Sequence, residues 1–121
     1  MSETAKKNEN EAMDLALEVR DKIIDRLRTV YDPEIPVSLY DLGLIYRLDL
    51  QPVAGESRFD ATIDMTLTAP GCPVAHLMPD MVRRAVMALP ELNDVQVNLV
   101  WDPPWDRSRL SDEARLQLNL L

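Results

Sequence analysis

The stretch RFDATIDMTLT, residues 58–68, alternates without a break. Phe59, Ala61, Ile63, Met65 and Leu67 are apolar, while Asp60, Thr62, Asp64, Thr66 and Thr68 are polar. A period of two held this long describes a β-strand with one greasy and one wetter face, and it excludes a helix. Just upstream, LIYRLDLQPV does the same, with Leu44, Tyr46, Leu48 and Leu50 set against Ile45, Arg47, Asp49 and Gln51. Ala54-Gly55-Glu56-Ser57 between the two runs reads as a hairpin turn. Such a pair belongs to a sheet that is covered on one side only.

The flanking segments supply that cover. From Met13 the pattern is helical, with Met13, Ala16, Leu17, Ile23, Ile24, Leu27 and Val30 on one face and Glu18, Arg20, Asp21, Asp25, Arg26 and Arg28 on the other. Asp32-Pro33 ends this helix of about five turns. YDPEIPVSLYDLG then forms a loop too rich in proline for helix or central strand, and longer than most connections. After Cys72 a second helix is expected to about Leu89, with Val82, Ala85, Val86 and Leu89 inward. Pro79 demands either a kink in it or a start at Pro79 after an irregular turn. VQVNLVW gives a third strand with Val95, Val97, Leu99 and Trp101 facing in, and Ser111 caps a short final helix. The order helix-strand-strand-helix-strand, with that short C-terminal helix, is an α+β two-layer sandwich. Residues 11–121 form a single domain, and the polar residues 1–10 are expected to be a disordered tail.

Charge and composition narrow the function. Formal net charge is −8, and Arg83-Arg84 is the one basic pair outside the tail, which argues against nucleic acid as a partner. Apolar residues make up 46% of the chain, as in a globular protein, yet charges interrupt every run that approaches the ~20 residues of a membrane span. The N-terminus lacks the apolar core of a signal peptide. The expectation is a cytoplasmic protein with no membrane partner.

TLTAPGCPVAH, residues 66–76, holds the single cysteine and the single histidine. One cysteine makes no internal disulfide and no four-thiolate metal site within one chain. With Pro73 suited to a first helical position, Cys72 is expected at a helix N-cap, where the dipole and unpaired N–H groups favour thiolate. Gly71 lets backbone approach a ligand or take positive φ. The bland alternative is a buried cysteine acting as a small hydrophobe. His76 lies one helical turn on, either an ordinary histidine or a second ligand beside the sulfur. Asp32, Glu34 and Asp41 either hold a hard cation or cap their own turns. In WDPPW, residues 101–105, Trp101 reads as core and Trp105 either as an exposed partner-binding residue or as cover for the sheet edge.

Taken together, DPEIPV (32–37), DLGLIY (41–46), MTLTAPGCP (65–73) and VWDPPW (100–105) resemble the MIP18 family, or DUF59 domain, and within it the SufT-type bacterial members. The resemblance covers about residues 13 to 118. It implies a fold similar to the iron–sulfur cluster assembly domain of NifU-like carriers. It also implies a role in the maturation of iron–sulfur proteins as an auxiliary or targeting factor and not as an enzyme. The family's acidic loop corresponds to Asp32, Pro33 and Glu34, and its threonine and reactive cysteine to Thr68 and Cys72. Pro79 and His76 depart from the family pattern. The implied cargo is a transient iron–sulfur cluster or iron, held by Cys72 together with ligands from a second copy or a client protein. The implied partners are the cluster assembly machinery and apo clients. One alternative is an accessory subunit of a phenylacetate-type ring-oxygenating complex, although this chain carries no second cysteine. Another is a thiol-dependent enzyme built on Cys72 and His76.

Overall fold

The three strands form one sheet in the order β1-β2-β3, comprising β1 (Ile45–Pro52), β2 (Phe59–Met65) and β3 (Leu92–Leu99). β1 runs antiparallel to β2, and β3 runs parallel to it. Helix α1 (Ser2–Leu27) precedes the sheet, α2 (Met78–Met87) joins β2 to β3, and a 3-10 turn (Arg107–Arg109) leads into α3 (Asp112–Gln117). The structure is a computed structural model that describes residues 2–32, 36–55, 57–68 and 77–118.

β2 keeps the alternation of its sequence: Phe59, Ala61, Ile63 and Met65 are buried, while Asp60 is exposed and Thr62 and Asp64 are half-buried. Against this apolar face lie Val19, Ile23 and Leu27 of α1 and Met78, Val82 and Val86 of α2, spaced four apart so that each set forms one stripe. The opposite face of the sheet is polar, with Asn93 donating to Asp60 and Asn98 to Asp64. The hairpin turn forms as expected. Gly55 takes φ +76°, and the Val53 N–H donates to the Arg58 carbonyl at 3.0 Å. β1 and β3 are both edge strands, and an arginine from a helix occupies an acceptor on each. Arg20 donates to the Leu48 carbonyl at 2.8 Å, and Arg83 to the Val95 carbonyl at 3.0 Å. Occupied edge acceptors discourage pairing with a foreign strand.

Several expectations change. α1 begins at Ser2, so its backbone continues through residues 2–10, where a disordered tail was expected. Glu and Lys, two of each among these nine residues, are good helix formers. Met13 and Leu17 are exposed at 65% and 55%, and the buried stripe is centred on Val19. Leu17 stands two residues from Val19, about 200° around the helix, and so faces away from the sheet. α2 begins at Met78 with Leu77 as its N-cap, so Pro79 sits in the first turn, where its missing N–H costs no helical bond. Of the two outcomes expected at Pro79, the late start is the one observed. The N-cap of α2 is thus Leu77 and not Cys72, which lies outside the described residues. In β1 the pairing jumps between Ile45 and Arg47, leaving Tyr46 as a bulged residue and not one of the inward set. β3 stops at Leu99, and Trp101 is 43% exposed, not core. Among the described residues no helix is long and apolar enough to cross a membrane.

Candidate functional site

The N-terminal end of β1 and the C-terminal ends of β2 and β3 meet at one end of the sheet, stitched by a bond from the Thr66 N–H to the Leu44 carbonyl at 2.8 Å and another from the Val100 N–H to the Met65 carbonyl at 2.7 Å. The carboxyl ends of parallel strands are where open sheets commonly bind ligands. Three of the four segments singled out in the sequence converge on this end, and their contacts explain why.

The first is the loop between α1 and β1. Its base is closed by a bridge between Tyr31 and Ser38 and by the Leu39 N–H on the Val30 carbonyl at 2.8 Å. Val37, Leu39, Leu42 and Leu44 are fully buried, which makes this loop part of the core. Asp32 is half-buried within it, and its N–H donates to the Val37 carbonyl at 3.2 Å.

Asp41 organises the next part. Its carboxylate accepts from the Ser38 hydroxyl at 2.9 Å and from the Ser111 hydroxyl at 3.2 Å, and the Arg28 guanidinium stands 4.0 Å away. Its carbonyl takes the Ser111 N–H at 2.9 Å. Of the two roles expected for the acidic residues, Asp41 fills the turn-capping one. Its oxygens are occupied by protein donors, and among the described residues no group of three or more metal-ligating side chains occurs.

The WDPPW segment docks on this loop. The Trp105 indole donates to the Leu42 carbonyl at 2.6 Å, and the Tyr46 hydroxyl donates to the Pro103 carbonyl at 2.7 Å. Gly43, at φ +76°, lies so close to the following segment that an added Cβ would stand 2.2 Å from the Arg109 carbonyl oxygen. Arg109 in turn covers the Tyr46 ring at 4.3 Å. The DLG triplet thus carries a hub, a buried leucine with an accepting carbonyl, and a glycine that permits close approach.

Between WDPPW and the end of β2 lies a cleft of about 200 Å³ lined by Thr66, Leu67, Thr68, Trp101, Pro104 and Trp105. Thr66 is fully buried, although the strand alternation puts it on the wetter face. The strand ends at Met65, and beyond that point alternation no longer governs which side chains are covered: Leu67 is buried as well. The Thr66 hydroxyl has no hydrogen-bond partner among the described residues. Glu91 Oε2 also lacks one, but it is paired with the Lys22 ammonium at 3.0 Å. An isolated buried hydroxyl costs about 1–3 kcal/mol. Sequence reasoning passed over Thr66 and Gly43 alike. The signal for Gly43 was a glycine at the end of a proline-rich loop; Thr66 carried none.

Thr68, the threonine of the family motif, is half-buried at the mouth of this cleft. Trp105, expected to be either an exposed docking residue or cover for the sheet, is half-buried and anchored through its N–H, which leaves its ring in the cleft wall. Pro33, Glu34, Gly71, Cys72 and His76 lie outside the described residues. The described parts of the acidic loop and of the cysteine segment, Asp32 and Thr68, belong to the two loops that this end of the sheet brings together.

A family model described as "Iron-sulfur cluster assembly protein" matches residues 20–99. A "Fe-S protein maturation auxiliary factor" of Porphyromonas gingivalis is 44% identical over 87% of this chain and 95% of its own length. The "Fe-S protein maturation auxiliary factor SufT" of Staphylococcus aureus is 35% identical over 75% of this chain and 98% of its own length. Among solved structures, a DUF59 domain from Bacillus anthracis superposes with a TM-score of 0.72 at 35% identity, covering 86% of this chain and 94% of that one.

Proposed function

Because this chain belongs to the iron–sulfur cluster assembly protein family, the DUF59 domain family of the sequence resemblance, we propose that it is an auxiliary factor in the maturation of iron–sulfur proteins. It acts through Cys72, as a carrier of a cluster or of iron, or as an adaptor that brings the assembly machinery to apo client proteins. It is not an enzyme, and it works in the cytoplasm. The observation that supports the reading is the convergence of the DLGLIY stretch, the end of β2 and the WDPPW segment at one end of the sheet, with the end of β2 leading in sequence toward Cys72.

In this reading the Cys72 thiolate supplies one soft ligand to the cargo, with His76 as the candidate second ligand from the same chain. One thiol cannot complete a cluster, so the remaining ligands come from a second copy or from the client. Asp32, Pro33, Glu34 and Thr68 are the supporting residues that the family resemblance assigns to this reading, with Gly71 adjacent to Cys72 in the sequence. The relatives carry names of maturation factors, and nothing in them favours the ring-oxygenating alternative.

Anaerobic reconstitution with iron and sulfide tests the carrier reading, comparing the native chain with Cys72→Ser by visible absorption and iron per chain. The expected result is a cluster in the native chain that is lost in the variant. An iron content below one cluster per chain would indicate sharing between copies. Absence of a cluster from both would overturn the carrier reading and leave the adaptor.

A further inference from the structure

We infer that the cleft between Thr66, Thr68, Trp101 and Trp105 is a receptor for one arginine side chain presented by a partner protein. The inference rests on the reading that this chain works by docking on other proteins, but it does not depend on Cys72 or on iron.

The size of the cleft sets the scale. About 200 Å³ holds one large side chain, well below the ~300 Å³ at which pockets begin to accept whole cofactors or drug-sized ligands. The chemistry of the walls then selects among side chains. Leu67 and Pro104 are apolar, and Trp105 offers only its ring, because its N–H is spent on the Leu42 carbonyl. Trp101 is 43% exposed, and no hydrogen bond to its indole occurs among the described residues. An exposed indole that lines a cleft is a stacking platform for a planar or cationic group. The polar atoms are the hydroxyl of Thr66, buried and without a partner among the described residues, and that of Thr68, half-buried at the mouth. They have lone pairs to offer a donor.

A leucine or phenylalanine would fill the space but leave the buried Thr66 hydroxyl unpaired. A carboxylate would add negative charge to a chain whose net charge is already −8. Lysine brings charge but no plane. The guanidinium combines a flat face for the indole, several N–H donors for the hydroxyls, and a positive charge for an acidic chain. Thr68, which lines this cleft, stands four residues before Cys72 in the sequence.

Both tryptophans of the chain line the cleft, so their indole N–H resonances report on it directly. The experiment titrates the full-length, metal-free protein with acetyl-Gly-Arg-Gly-amide and follows both indoles by ¹H–¹⁵N NMR. Parallel titrations use peptides with citrulline, leucine or lysine in the central position. The expected result is a saturable shift of the Trp101 indole with the arginine peptide. Binding of the citrulline peptide should be about fivefold weaker or worse, the factor a partly desolvated cation–π contact supplies. Thr66→Val and Trp101→Leu should each weaken the arginine peptide by a similar factor, with dispersed spectra showing that both variants fold. No saturable shift, equal binding of the citrulline or leucine peptide, or undiminished affinity in Trp101→Leu would overturn the inference. Repeating the titration on Cys72→Ser separates the two proposals, since this cleft should bind equally well without the thiol.

Discussion

Replacing Gly43 with alanine puts the docking of the C-terminal segment to a quantitative test, because the chain carries its own control. Gly43 and Gly55 both take φ +76°, yet a Cβ at Gly43 would meet the Arg109 carbonyl oxygen at 2.2 Å and the Arg109 Cβ at 2.7 Å, whereas one at Gly55 would meet nothing within 4 Å. Both alanines incur the left-handed backbone penalty of about 1–2 kcal/mol. Only Gly43→Ala must also push away backbone that cannot rotate aside. That displacement strains the Trp105 bond to the Leu42 carbonyl, at about 1 kcal/mol, and partly uncovers Leu110, whose full burial is worth about 1.5–3 kcal/mol. The expected costs are therefore about 1 kcal/mol for Gly55→Ala and about 3–4 kcal/mol for Gly43→Ala, a large share of the ~5–15 kcal/mol that holds a domain together. Urea unfolding followed by far-UV circular dichroism would read this out. With a slope of about 1.5 kcal/mol per molar, the midpoints should fall by about 0.7 M and by more than about 2 M respectively. Equal midpoints in the two variants would refute the argument that DLG and the segment around Arg109 are packed against each other.

Asp41→Ala removes the acceptor of two serine hydroxyls and strands that of Ser38, which is buried; the expected loss is about 2 kcal/mol, seen as a thermal midpoint lower by roughly 5–10 °C, with Asp41→Asn less than half as costly. Thr66→Val removes an unpartnered buried hydroxyl at nearly constant shape, so stability should stay level or rise by up to about 1 kcal/mol; a clear loss in urea unfolding would mean that the hydroxyl is bonded. Asp106 accepts from the Ser108 hydroxyl and from its N–H at 2.7 Å, and these bonds hold its carboxyl below the usual aspartate range. A lowered folded value means that the contribution to stability is present above the ordinary aspartate value and is lost as pH falls through the folded one. Carboxyl NMR titration should find Asp106 low in the native chain and raised toward the ordinary value in Ser108→Ala.

Periodicity alone was enough to place β1 and β2 and the hairpin between them, because a strand half-buried in a sheet records its two faces directly in alternate residues. The same holds for Val82 and Val86 of α2, although Met78 completes their buried stripe while Ala85 and Leu89 are only partly covered, and for the Ser111 cap, whose hydroxyl accepts from the Ala114 N–H at 3.1 Å as local chemistry predicts. The family motifs made the functional class readable as well, since four segments in fixed order are far more specific than any one residue. Local rules failed where a contact came from far along the chain. Trp101 lies in phase with β3, but the strand stops two residues before it, and the next segment turns back across the end of the sheet. Trp105 read equally as a partner-binding residue or as cover for the sheet edge, and what anchors it is a bond from its N–H to a carbonyl 63 residues away. Gly43 marks a turn on paper; only the fold shows that Arg109 needs the space. Thr66 belongs to an unbroken alternating run, and only the packing of WDPPW against the end of β2 turns it into a buried hydroxyl beside a cleft, with no partner among the described residues. Periodicity and capping act over three or four residues, so one chain carries them legibly. The site is built from pairings between segments tens of residues apart, and those exist only once the sheet has brought its ends together.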